Sequence, residues 1–107
     1  MSSFNTSEVY ALRDSVDYSN GATVSKIVSK NTAGNITLFA FDKGQSLSKH
    51  TAPFDAFIQI LDGKAKIIID DNAHDLSEGE GIIMPANISH AVEATERFKM
   101  LLVMIKG

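Results

Sequence analysis

From Gly21 to Asn87 the chain meets a glycine, a proline or an Asp/Asn turn residue at intervals of ten residues or fewer. Helices of ordinary length do not fit between such interruptions, whereas strands of about four to eight residues do. The segments between the breaks are rich in β-branched and aromatic residues, and some alternate in polarity. In 64–70, Ala65, Ile67 and Ile69 share one face while Lys64, Lys66, Ile68 and Asp70 share the other. A period of two with one apolar face is the pattern of a half-buried strand.

This reading places strands at 23–29 and 36–42, joined as a hairpin through Ala33-Gly34-Asn35. Further strands are expected at 46–51 (broken by Pro53), 56–61, 64–70, 82–84 (stopped by Pro85), 89–94 and 97–105. Asp62-Gly63 reads as a tight turn across which 64–70 pairs back, and Asp70-Asp71-Asn72 as another hairpin turn rather than a Ca²⁺ loop. Residues 7–18 read as a strand followed by a short helical turn. Many short strands without a long helical pattern imply an all-β fold, a sandwich or small antiparallel barrel.

With 107 residues, the chain suffices for one domain, a barrel over 22–106 preceded by an arm over 1–20. Apolar residues make up 44% and charged residues 21%, which allows a real core. The net charge of −3 and the scattered lysines argue against nucleic acid as a partner. No apolar run has membrane-spanning length. Met1-Ser2-Ser3-Phe4-Asn5 has no signal-peptide character, so a cytoplasmic location is expected. The Asn5-Thr6-Ser7 and Asn87-Ile88-Ser89 sequons then carry no meaning. The absence of cysteine removes disulfides, thiolate metal sites and thiol nucleophiles.

Two segments, 57–61 and 100–105, are apolar on both faces. A small barrel has one interior, so the second face needs a cover, and a homodimer is expected to supply it, with the arm possibly exchanged between copies.

His50 and His90 sit in segments that resemble the two cupin motifs. The first motif, G-x5-H-x-H-x3-4-E-x6-G, is met at Gly44, His50 and Gly63; the second, G-x5-P-x-G-x2-H-x3-N, at Gly79, Pro85 and His90. Asn87 replaces a motif glycine, and asparagine tolerates positive φ well. The resemblance implies a double-stranded β-helix, or jelly-roll, barrel. In metal-binding cupins three histidines and a glutamate hold a divalent ion inside it.

Here the second histidine position is Ala52, the glutamate position Ala56 and the terminal asparagine position Ala94. With Met84, the pocket is expected to be lined by His50, Ala52, Ala56, Ile58, Ile60, His90 and Val92. Two imidazoles without a carboxylate make a weak site for iron, manganese, nickel or zinc. Asp55 has the wrong parity to help unless the Pro53 region bulges. The expected function is therefore binding of a small molecule at His50 and His90. A metal-dependent dioxygenase or isomerase with a reduced ligand set is the alternative, and metal-free acid–base catalysis by the two histidines comes third. His74, Glu78 and Glu80 read as solvated, Phe39, Phe41 and Phe57 as core or dimer contacts, and Met84, Met100 and Met104 as gap fillers.

Overall fold

The structure, a computed structural model, describes residues 4–106. Met1-Ser2-Ser3, read above as part of a leaderless N-terminus, and Gly107 lie outside the described residues. Eight strands follow a single 3-10 turn at Leu12–Asp14: β1 Thr23–Asn31, β2 Gly34–Phe41, β3 Ser46–His50, β4 Ala56–Ile69, β5 Asn72–Ser77, β6 Gly81–Met84, β7 His90–Glu93 and β8 Phe98–Ile105. Every pairing is antiparallel. One half of the barrel runs β1-β2-β8-β4-β6 and the other β5-β4-β7-β3, with β4 common to both.

That sharing overturns the expected turn at Asp62-Gly63. Residues 56–69 form one continuous strand. Its first part pairs with β8 and β6, its second with β5 and β7, and the register with β8 slips between Ile60 and Asp62. Gly63, at φ 75°, lies so close to the Arg97 carbonyl that a Cβ would collide with it. The glycine therefore bends the strand from one half to the other instead of reversing it.

The hairpin partner of 64–69 is β5, a strand the turn-based reading passed over because five of its six residues are exposed. The reversal comes at Asp70-Asp71, at φ 49° and 65°, the paired positive angles of a two-residue hairpin turn. The β1–β2 turn also sits earlier than expected, at Thr32-Ala33, because Asn31 already pairs with Gly34. Gly34 belongs to the strand, and its missing side chain admits the Met104 carbonyl of β8.

Two apolar clusters result. Inside the barrel, Phe41 and Phe98 stack with centroids 4.6 Å apart and, with Ile60, Ile67 and Met100, fill one end. On the outer face of β2, Leu38 and Ala40 are sealed beneath Val16, with Leu12, Tyr18 and Leu101 around them. The N-terminal segment thus covers much of the apolar outer face within its own chain, so burial there needs no second copy. Among the described residues no strand forms in this segment. It is held instead by polar contacts: Lys99 Nζ donates to the Arg13 carbonyl at 2.7 Å, and Arg13 pairs with Asp62 and with Glu78. Glu78 is therefore engaged and not merely solvated. Among the described residues no helix is long and apolar enough to cross a membrane.

Candidate functional site

The β3–β7 ladder sets His50 directly opposite His90 at the end of the barrel away from the Phe41–Phe98 stack. Strict alternation along β3 would turn either Leu47 or His50 outward. The ladder instead advances three residues on β3, from Leu47 to His50, against two on β7, from Val92 to His90. This bulge turns both side chains inward. Asn87, at φ 64°, takes the conformation anticipated for it, and its N–H donates to the Ala52 carbonyl at 2.7 Å. That bond ties the loop before β7 to the loop after β3, and so fixes the two histidine strands relative to each other.

The Nε2 atoms of His50 and His90 are 3.0 Å apart, with the rings edge to face. His50 Nδ1 lies 2.7 Å from the Ser48 carbonyl and His90 Nδ1 3.3 Å from the Ile88 carbonyl. A carbonyl only accepts, so the tautomer that satisfies both contacts carries its hydrogen on each Nδ1, and in that tautomer the two Nε2 lone pairs face each other. Two lone pairs at this separation are satisfied by a shared proton or by an electron-pair acceptor touching both. His90 is 6% exposed whereas His50 is exposed, so His50 stands at the mouth and His90 at the floor. Burial, and then the neighbouring His50, hold the His90 pKa below the usual imidazole value.

The cavity beneath the pair holds about 30 Å³ and is mostly apolar. Its lining includes His50, Ala52, Ala56, Ile58, Met84, His90 and Val92. Ile60, expected in the same lining, packs one layer deeper in the core at 1% exposure. Leu47, Met100, Leu102 and Met104 join the wall without having been anticipated. Leu47 depends on the bulge, which alternation alone does not reveal. The three β8 residues could have been found from their even spacing, which gives them one face. A wider depression of about 500 Å³ at Lys43, Glu93 and Thr95 is open to solvent and brings no imidazoles together.

Asp55 stays out of the cavity, and its Oδ1 accepts the Ala86 N–H at 2.8 Å. His74 is exposed on β5. Among the described residues no three His, Cys, Asp or Glu side chains converge. The donor set consequently does not fit the divalent ion that three imidazoles and a carboxylate would hold. The missing positions are occupied by the methyl groups of Ala52 and Ala56.

Comparison with known proteins agrees with this architecture. A family model described as the cupin domain matches residues 37–106. A conserved protein of unknown function from Streptococcus pyogenes is 38% identical, with 96% of this chain and 90% of that one covered and a TM-score of 0.91. A cupin superfamily protein from Desulfitobacterium hafniense is 27% identical over 97% of this chain and 95% of its own, with a TM-score of 0.90. A cupin 2 conserved barrel domain protein from Leptotrichia buccalis is 43% identical; the match covers 85% of this chain but 44% of that one, with a TM-score of 0.82. No curated protein matches the chain.

Proposed function

This chain belongs to the cupin domain family, and from that premise we propose that its barrel is a binding site whose ligand seats against His50 and His90, not a three-histidine, one-glutamate metal enzyme. The observation that carries the reading is the 3.0 Å approach of two Nε2 atoms whose Nδ1 partners are both carbonyls. With a hydrogen on each Nδ1, such a pair accepts. It suits a ligand that brings a hydrogen-bond donor or a cationic centre to the two nitrogens and rests any apolar part on Ile58, Val92 and Leu102. A cavity of about 30 Å³ admits an ion or about two waters, far less than the roughly 300 Å³ of a drug-sized pocket. A ligand of more than a few atoms must therefore extend past the exposed His50.

The test is a thermal-shift screen of small amines, alcohols, acids and metal ions against the protein and its His50→Ala, His90→Ala variant. Stabilisation of the parent by a ligand that leaves the variant unmoved supports the reading. Equal responses from the two proteins throughout the screen defeat it.

The same chain also presents Phe57, Ile83 and Ile105 at 36%, 62% and 59% exposure on the outer face, beyond the reach of the N-terminal cluster. Phe57 pairs in register with both Ile83 and Val103, so these side chains form one patch on adjacent strands. We propose a second copy of the chain as its cover.

A further inference from the structure

We propose that Asn20 is a modification site, deamidated to aspartate or isoaspartate through its neighbour Gly21, and that Asp42 and Arg97 restrain the reaction for as long as the N-terminal segment is docked. This site is separate from the two histidines.

The sequence supplies the reactive pair. Asn20-Gly21 is the one Asn-Gly step in the chain. In such a step the glycine nitrogen bonds to the asparagine side-chain carbonyl carbon, and the nitrogen's proton departs with the side-chain NH2 as ammonia. Water then opens the five-membered imide at either carbonyl and leaves aspartate or isoaspartate. Without a Cβ, glycine neither shields its nitrogen nor resists the backbone rotation that ring closure needs.

The fold opposes each part of that step. The Gly21 N–H donates to Asp42 Oδ2 at 2.6 Å, so the nucleophile is engaged, and a carboxylate beside it disfavours loss of the proton. That bond, and then Arg97, hold the Asp42 carboxyl below its usual pKa, so it is ionised at neutral pH. Arg97 Nη2 donates to Asn20 Oδ1 at 3.1 Å and Nε to Asp42 Oδ1 at 2.8 Å. One guanidinium thus holds both the electrophile and the carboxylate that holds the nucleophile. The Ala22 N–H donates to the Ser19 carbonyl at 3.1 Å and closes a four-residue turn. Of its two central residues only Gly21 has a positive φ, 68°. That is the pattern of a type II turn, which points the Gly21 nitrogen away from the Asn20 side chain.

The restraint depends on docking because it joins two parts of the chain. Asp42 follows β2 and Arg97 precedes β8, whereas Asn20 ends the N-terminal segment. Arg97 also lies 4.8 Å from the centre of the Tyr18 ring in that segment. Release of the segment therefore frees Asn20. Isoaspartate then carries the main chain through the former side chain, which lengthens the backbone between Ser19 and Ala22 and prevents the same turn from closing. The segment re-docks less firmly over Leu38 and Ala40, so the modification fixes a release that has already occurred.

The experiment follows conversion at residue 20 by peptide mass spectrometry at neutral pH. Four samples are compared: the folded parent, the same chain unfolded in guanidinium chloride, Arg97→Gln and Val16→Ala. The folded parent should convert at least about tenfold more slowly than the unfolded chain, the protection of a segment open less than about a tenth of the time. Arg97→Gln removes the clamp, and Val16→Ala loosens the segment without touching the clamp. Each should convert at least about threefold faster than the folded parent. Amide exchange across residues 12–18 should be faster in the isoaspartate form than in the parent. Equal rates in the folded and unfolded parent overturn the restraint, and this comparison needs no variant to fold. Faster conversion in the folded parent shows that Asp42 and Arg97 promote the step, and overturns the proposal as well. An unchanged rate in Val16→Ala, or unchanged exchange in the isoaspartate form, overturns the link to docking.

Discussion

Tyr18 Oη donates a 2.7 Å hydrogen bond to Asp62 Oδ2, joining the N-terminal segment to the strand at the point where β4 bends. Arg97 lies 4.8 Å and Lys99 Nζ 5.1 Å from the centre of the Tyr18 ring. Burial, and then the bond to Asp62, push the phenol pKa above its usual value, so the hydroxyl remains a donor. Tyr18→Phe keeps the ring between its cations and removes one part-buried hydrogen bond. It should cost about 1 kcal/mol in urea unfolding. Val16→Ala, which hollows the sealed cluster under the same segment, should cost about 2 kcal/mol. If both variants unfold with the parent, the segment does not contribute to stability as its contacts indicate.

Gly63→Ala places a methyl against the Arg97 carbonyl at a positive φ. We expect a loss of at least about 2 kcal/mol or failure to fold, since both steric overlap and backbone strain oppose it. A melting temperature within a few degrees of the parent would show that β4 can bend elsewhere.

His90 gives stability a pH dependence of definite sign. Its folded pKa lies below the ordinary 6.5, so the unfolded chain takes up the proton first as pH falls. Stability attributable to the neutral imidazole is therefore full above about pH 6.5 and declines below it. Unfolding midpoints measured across that range should fall more steeply for the parent than for His90→Gln. Parallel curves would remove His90 as the cause.

Restoring the two absent ligand positions should create a divalent site. Ala52 and Ala56 both line the cavity with the histidines, so Ala52→His with Ala56→Glu should acquire about one equivalent of nickel or zinc. Elemental analysis after dialysis checks this, and a metal-free, folded double variant would count against the motif register.

Ile83→Glu places a charge in the exposed patch beside Phe57. If a second copy covers that patch, sedimentation should show a dimer for the parent and a monomer for the variant. A monomeric parent at high micromolar concentration would end the dimer proposal.

The barrel and the two facing histidines were legible in the sequence because their determinants are local. Turn residues at short intervals, β-branched runs and two spaced motifs lead to an all-β chain, and positions 50, 52, 56 and 58 share an inward face by even spacing. Other features depend on what lies across the sheet. A glycine at φ 75° reads the same whether it reverses a strand or bends it, and only the Arg97 carbonyl opposite Gly63 decides between the two. The exposed β5 lacks an apolar alternation and is defined by its pairing with β4. Leu47 turns inward because β3 carries one more residue than β7 between paired positions, a count that exists only once the ladder has formed. Residue order along the chain determined that this protein is a cupin barrel with two histidines and no carboxylate beside them. The 3.0 Å approach of their nitrogens and the gathering of three methionines around them were decided by tertiary packing, because each joins strands that are distant in sequence.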